Sequence, residues 1–231
     1  MILAQLQLRD RSSGSASCVE RNGFCPDWIA DNWERYKTPL LVHIELTLIS
    51  VAIGFVIAFG LAILAYRRKW LIPPITQITG ILYTLPSVAL FFLLLPLTGR
   101  GKVTAVIALV AYSLLIIFRN VITGLEGVPA DARDAGRGMG LTPNQLLWKV
   151  ELPLALPAIM AGLRIAVTTT VGLTALVFLA GAGGLGEAIF SDTQFRSNVV
   201  VAGGLCVLLA VVLDLLVLGV QKLMTPWTRA A

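Results

Sequence analysis

The chain has 231 residues, 57% of them hydrophobic and only 13% charged, with a mean hydropathy of +0.84. Soluble domains carry roughly 25% charged residues, so this composition excludes a soluble globular protein and predicts apolar surface facing lipid. The net charge of +5 and pI near 9.4 do not point to nucleic acid, because Lys and Arg sit at the edges of long apolar runs, where cations orient membrane helices.

In chain order, residues 1–40 form a polar leading segment. Its first apolar stretch, residues 1–8, is broken by Gln5 and Gln7 and followed by Arg9-Asp10-Arg11, so neither a cleaved signal nor a transit peptide is expected. Cys18 and Cys25 lie close enough in sequence for a disulfide, with two free thiols as the alternative. Trp28, Trp33 and Tyr36, at near-helical spacing, suit an interfacial helix anchoring the first span, or an ordinary aromatic belt.

Five uncharged or nearly uncharged runs follow, against the roughly 20 helical residues needed to cross a bilayer. Residues 46–66 end at Arg67-Arg68-Lys69. Residues 71–98 are interrupted by Pro73, Pro74, Pro86 and Pro96, which predicts a kinked helix facing the bundle interior, since only protein or water can satisfy the freed backbone groups. Residues 103–118 are short and are expected to extend by a turn on either side. The fourth and fifth runs are residues 165–186 and 199–220, the latter broken only by Asp214. No internal repeat or linker is visible. The fold class is therefore all-α: a polytopic membrane protein with one five-helix domain over residues 41–222 and a tail at 223–231.

Arg67, Arg68, Lys69, Arg119, Arg133, Arg137, Lys149, Lys222 and Arg229 fall on one side of this layout, and Arg100, Lys102 and Arg196 on the other. The positive-inside rule then predicts an outside N-terminus, with the loop at 120–153 and the C-terminus in the cytoplasm.

That polar loop is long for so small a membrane protein, and long connections tend to be functional. Its chemistry describes two helices. Pro129 suits the first helical position, Asp131 lies in the first turn, Asp134 and Arg137 share a face, and Gly138 and Gly140 permit a stop. Thr142-Pro143-Asn144-Gln145 reads as a capping box with proline at the first helical position, and Pro153 is expected to end the helix that follows.

The loop resembles the EAA loop of binding-protein-dependent ABC importer permeases. Asp134-Ala135-Gly136 stands in place of the family's Glu-Ala-Ala, Gly140 in place of its glycine, and residues 141–149 form the spacer. Val150-Glu151-Leu152-Pro153 takes the place of its Ile-x-Leu-Pro close. Asp for Glu, Gly for Ala and Val for Ile are the departures. Arg119-Asn120, Thr123-Gly124-Leu125, residues 149–157 and 159–164, Thr84-Leu85-Pro86-Ser87 and the Gly-rich run 181–186 are similar to permeases for glycine betaine, choline, carnitine and related osmoprotectants, as is the approach to the first span at 33–49.

The resemblance implies a type I ABC importer permease fold in the cell inner membrane and two permease chains, identical or paralogous, lining one solute path. It also implies a cytoplasmic ABC ATPase dimer and an extracytoplasmic substrate-binding protein. The residues it assigns to ATPase coupling are Arg133, Asp134, Ala135, Gly136, Arg137, Gly138, Gly140, Leu141 and Pro143. Small side chains there would let a partner approach closely, with Arg133, Asp134 and Arg137 as charges at the rim; a solvated amphipathic loop is the plainer alternative. No Gly-x-x-x-x-Gly-Lys-Ser/Thr loop occurs, so ATP and Mg are expected on the partner, with no cofactor, metal site or catalytic residue on this chain.

Other polar residues have plain readings. His43, the only histidine, suits an interfacial position, and Ser191 and Asp192 lack a base for a triad. The run 181–186 suits tight turns and close packing better than a nucleotide fingerprint. Arg164 and Asp214 interrupt apolar runs, which leaves mutual pairing, snorkelling or a transport role open, and Glu45 invites the same reading. A quaternary ammonium solute would favour aromatic faces. Tyr83, Phe91, Phe92 and Tyr112 flank the path helices or else face lipid and core, and Tyr83, Pro86, Ser87 and Tyr112 are the candidate path residues. The alternatives are a permease for another small solute such as an amino acid, or a self-contained secondary transporter, for which inverted repeats would be expected.

Overall fold

The structure, a computed structural model, describes residue 18 and residues 22–229. The readings made on residues 1–11, most of the leading segment to residue 21, and residues 230 and 231 lie outside the described residues. Every regular element described is helical. A short α1, Pro26–Asp31, precedes the long α2, Glu34–Arg67; a 3₁₀ turn at Lys69–Leu71 leads into α3, Ile72–Thr84, and α4, Ser87–Thr98. Then come α5, Lys102–Glu126, α6, Ala130–Gly138, α7, Pro143–Leu146, a π-helical turn at Leu147–Glu151, and α8, Leu152–Thr174. A 3₁₀ turn at Val177–Ala180, α9 at Leu185–Ser191 and α10 at Arg196–Met224 complete the spans, with a last 3₁₀ turn at Pro226–Arg229.

Among the described residues, four helical stretches are long and apolar enough to cross a membrane: α2, α5, the continuous stretch Pro143–Thr174, and α10. The α3–α4 pair makes a fifth if its two arms, bent by 98°, count as one span. The bend falls where the prolines predict it. Leu85, immediately before Pro86, is extended at φ −61° and ψ 134°, the region to which a following proline pushes its neighbour.

The spans outrun the uncharged runs because charges are paired. At the start of α2, Lys37 bonds Glu34, and Glu45 meets Lys102 at 2.6 Å. The third span continues to Glu126, so the first residues of the expected 120–153 loop are helix, with Val121, Ile122 and Leu125 buried. The fourth span is Leu152–Thr174 rather than 165–186. Pro153 does not end the preceding helix, because it sits in the first turn of α8, where its missing donor costs nothing. The π turn just ahead of it relaxes the hydrogen-bond ladder. Arg164 sits inside the span, held by Asp214 through Nε–Oδ1 at 2.8 Å and Nη2–Oδ2 at 2.7 Å.

The bundle centre is α2, α5 and α8. At the end nearer α6, Ala58, Ala62 and Ala65 meet Ile117, Phe118, Ala155 and Ile159, small residues on α2 allowing the backbones to close up. At the other end Leu46, Phe91, Leu109 and Val177 form a second cluster. The last span, α10, packs on α8 and is the least buried of the four unbroken spans.

Two polar residues expected at the interface are in the interior instead. His43 is fully buried: its Nδ1 accepts from the Leu185 amide at 3.3 Å, so Nε2 carries the proton and donates to the Val171 carbonyl at 3.0 Å. Tyr36 is also fully buried, its hydroxyl donating to Asn198 Oδ1 at 2.9 Å. Trp33 stays 41% exposed, whereas Trp28 packs edge-on to Phe195 at 4.6 Å. Cys18 and Cys25 form a disulfide. The loop it closes is fastened to the start of α10: Asn22 Nδ2 donates to the Gln194 carbonyl at 2.7 Å, and Ser197 Oγ receives the Cys25 amide at 2.9 Å.

The glycine run before α9 turns at φ +75°, +82° and +91° (Gly181, Gly183, Gly184) and brings Gly186 against α8. A Cβ on Gly186 would lie 1.8 Å from the Ala175 carbonyl oxygen, a backbone atom that cannot swing aside. Gly186→Ala is therefore expected to destabilise the bundle by ~1–3 kcal/mol. Gly172→Ala, which meets nothing within 4 Å, should be neutral or slightly stabilising. Thermal unfolding of both variants in detergent checks the difference, and equal midpoints would contradict the packing described.

Candidate functional site

The connection between α5 and α8 projects a small helical hairpin from one end of the bundle. Pro129, φ −56° and ψ 139°, is the N-cap of α6 rather than its first helical residue. Asp131 lies in the first turn, where a carboxylate complements the positive helix end. The helix closes at Gly138, and Gly140 reverses the chain at φ +78°, a conformation that disfavours any side chain. The capping box then forms as read: Gln145 N donates to Thr142 Oγ1 and Thr142 N to Gln145 Oε1, with Pro143 at the first position of α7.

Three of the residues assigned to a partner face turn inward. Gly136 is buried against the hairpin's own second arm, where an added Cβ would meet Leu146 Cδ1 at 2.5 Å and Leu141 Cδ1 at 3.5 Å. It and the half-buried Leu141 close the hairpin. Arg133 is no rim charge either. Its Nε donates to Glu151 Oε1 at 3.1 Å, and Nη2 donates to the Leu125 carbonyl at 2.7 Å and to Tyr66 Oη at 3.3 Å. Tyr66 in turn donates to Glu151 Oε1 at 3.0 Å. One guanidinium thus ties α6 to α2, α5 and the π turn.

What remains on the outer side of the hairpin is Asp134, Ala135, Arg137, Gly138, Met139, Gly140 and Pro143, all exposed. Asp134 and Arg137 pair at 3.3 Å on that surface. Met139, 73% exposed, is an apolar side chain offered to the surroundings. The combination of small residues, one bare methionine and a flanking ion pair has the chemistry of a contact patch.

Far from the hairpin in sequence, the four candidate path residues come together at the α3–α4 break. Pro86 is the N-cap of α4 and Ser87 its first residue. The Tyr112 hydroxyl from α5 donates to the Leu85 carbonyl that the break leaves without a helical partner. Tyr83 meets Tyr112 with ring centroids 6.1 Å apart and remains 40% exposed. Phe91 is fully buried in the same core cluster as Tyr112, and Phe92 is exposed.

Sequence reasoning missed Glu151 and Tyr66 as members of the hairpin network. Glu151 appeared only as the variable place in Val-Glu-Leu-Pro, and nothing local marks Tyr66. An acid at the start of an apolar span was the one available signal that a cation must lie nearby.

The chain is 40% identical over 206 residues to the osmoprotectant import permease protein OsmW of Salmonella typhimurium, covering 86% of this chain and 96% of that one. It is 38% identical over 193 residues to the choline transport system permease protein OpuBB of Bacillus subtilis, covering 83% and 88%. Among solved structures, a chain of the MetNI methionine ABC transporter in an inward-facing conformation superposes with a TM-score of 0.69 at 28% identity, covering 82% of this chain and 94% of that chain. With residues 50–230 matching the family model of the binding-protein-dependent transport system inner membrane component, the chain belongs to that family of inner-membrane transport proteins.

Proposed function

We propose that this chain is the permease subunit of an ATP-driven importer for small osmoprotectants of the glycine betaine, choline and carnitine type. It pairs with a second permease chain, identical or paralogous, receives solute from an extracytoplasmic binding protein, and couples to a separate cytoplasmic ATPase through the outer side of α6. The observation that carries this reading is the similarity over 96% of the length of an osmoprotectant import permease. The hairpin supports it, because small residues and an exposed methionine on its outer side suit a contact. Closure of the ATPase would push α6, and the Arg133 tie would pass that displacement to the spans, so that the path opens to one side at a time. At the α3–α4 break, the exposed ring of Tyr83, seated on the buried Tyr112, offers a quaternary ammonium group the kind of π face it favours.

Uptake of labelled choline and glycine betaine into vesicles bearing the assembled importer tests the reading. A second reading, an amino-acid solute, is favoured by the 28% identity to a methionine transporter chain. Uptake of methionine that excess choline does not inhibit would select it.

The orientation follows from the cation bias: the hairpin end in the cytoplasm, the disulfide end outside. In a background free of native thiols, a cysteine at Ser191 should be labelled by an impermeant maleimide in intact cells and one at Asn144 should not. Labelling at Asn144 would invert the topology.

A further inference from the structure

Beside the hairpin, between α6, α7 and the end of α2, lies an open cleft of about 340 Å³. Among the described residues four cations line it, Arg67, Lys69, Arg133 and Arg137, against one carboxylate, Glu151, which leaves a lining charge of +3. Glu151 is already engaged by Arg133, and Arg137 leans on Asp134 at the surface. Among the described residues Arg67 and Lys69 make no ion pair, so their charge is unanswered. The cleft also has an apolar wall of Pro143, Leu146 and Leu147.

Depth in the membrane decides what fills it. Arg67 is the last residue of α2, whose uncharged run has just left the hydrocarbon, and Trp70, 70% exposed, follows Lys69 directly. Tryptophan and flanking cations mark the headgroup layer. An anionic group held beside an apolar wall at that level has one abundant source, the surrounding bilayer. We propose that this cleft binds the phosphate of an anionic phospholipid, with Arg67 and Lys69 as its ligands and the Arg133–Glu151 pair as its floor. The proposal rests on the cleft between the hairpin and the end of α2 and on the headgroup level of Arg67 and Lys69, not on whether α6 docks an ATPase.

The test uses the full chain in phosphatidylcholine vesicles carrying a trace of spin-labelled phosphatidylglycerol or, separately, spin-labelled phosphatidylcholine. The immobilised fraction of each probe gives the lipid selectivity. Wild type should prefer the phosphatidylglycerol probe, and Arg67→Gln and Lys69→Gln should each lower that preference about five-fold, the equivalent of ~1 kcal/mol per cation near an anionic surface. Lys149→Gln, an exposed cation at the same end but outside the cleft, should leave it largely intact. Unchanged thermal midpoints show that the variants fold, since both side chains are exposed. Equal losses in all three variants would reduce the site to general surface attraction and overturn the proposal. So would loss of selectivity in inorganic phosphate but not in chloride of the same ionic strength, which would assign the cleft to a soluble phosphate. Intact selectivity with loss of ATPase co-purification in the Arg67 and Lys69 variants would assign it to an acidic partner side chain instead.

Discussion

Arg133→Met is expected to lower the stability of the bundle and stop solute uptake, whereas Arg133→Met combined with Glu151→Gln should recover most of the stability and none of the uptake. Glu151 is 6% exposed and has only Arg133 and Tyr66 as described side-chain partners. Removing the guanidinium leaves a carboxylate that must either stay charged without its cation or take up a proton, and breaking a buried pair in this way costs ~3–5 kcal/mol. Neutralising both members removes most of that penalty, so the two variants should separate in thermal unfolding by several degrees. Uptake follows a different logic. Both variants lose the bonds from Arg133 to the Leu125 carbonyl and Tyr66, which are the direct links from α6 to α5 and α2, so ATP hydrolysis should proceed without transport in each. Equal midpoints for the single and double variants, together with wild-type uptake, would show that the network is neither a stabilising pair nor a mechanical tie.

All the spans but the fourth were legible because lipid demands long uncharged runs, and the α3–α4 bend because a proline constrains the residue before it. The Thr142–Gln145 capping box was legible for the same kind of reason: its bonds close within three residues. The Arg164–Asp214 pair was one of the open readings, since two isolated charges in apolar runs have few other ways to be satisfied. What stayed hidden depends on contacts between distant segments. Arg133 looked like a surface charge because its loop is polar, and only the fold brings Glu151 and Tyr66 to it. Gly136 looked like an opening for a partner, yet the space is filled by Leu146, ten residues on in its own hairpin. His43 looked interfacial because its acceptor, the Val171 carbonyl, is 128 residues away. The start of α8 was misplaced because Pro153 was weighed as a stop, when proline in a first turn is a normal start.

The structure also selects which substitutions test docking cleanly, and on that ground Ala135→Trp and Gly138→Trp are expected to weaken ATPase attachment while leaving the permease folded. Gly140 is a poor probe, because its φ of +78° would make any side chain a backbone perturbation, and Gly136 is worse, because bulk there would open the hairpin from within. Ala135 is exposed, and a Cβ on Gly138 meets nothing within 4 Å, so an indole at either place projects away from the bundle. If a partner surface packs on this side of α6, that indole must be forced into a close contact, which costs ~1–3 kcal/mol. Such a cost weakens attachment by about five-fold to over a hundred-fold. Asp134→Ala should do much less, since its pair with Arg137 is open to solvent and worth under ~1 kcal/mol. The measurements are co-purification of the ATPase and vesicle uptake, each normalised to permease content, with thermal midpoints as the folding control. Normal attachment and uptake in both tryptophan variants would remove α6 as the docking element and leave it a capped, solvated hairpin.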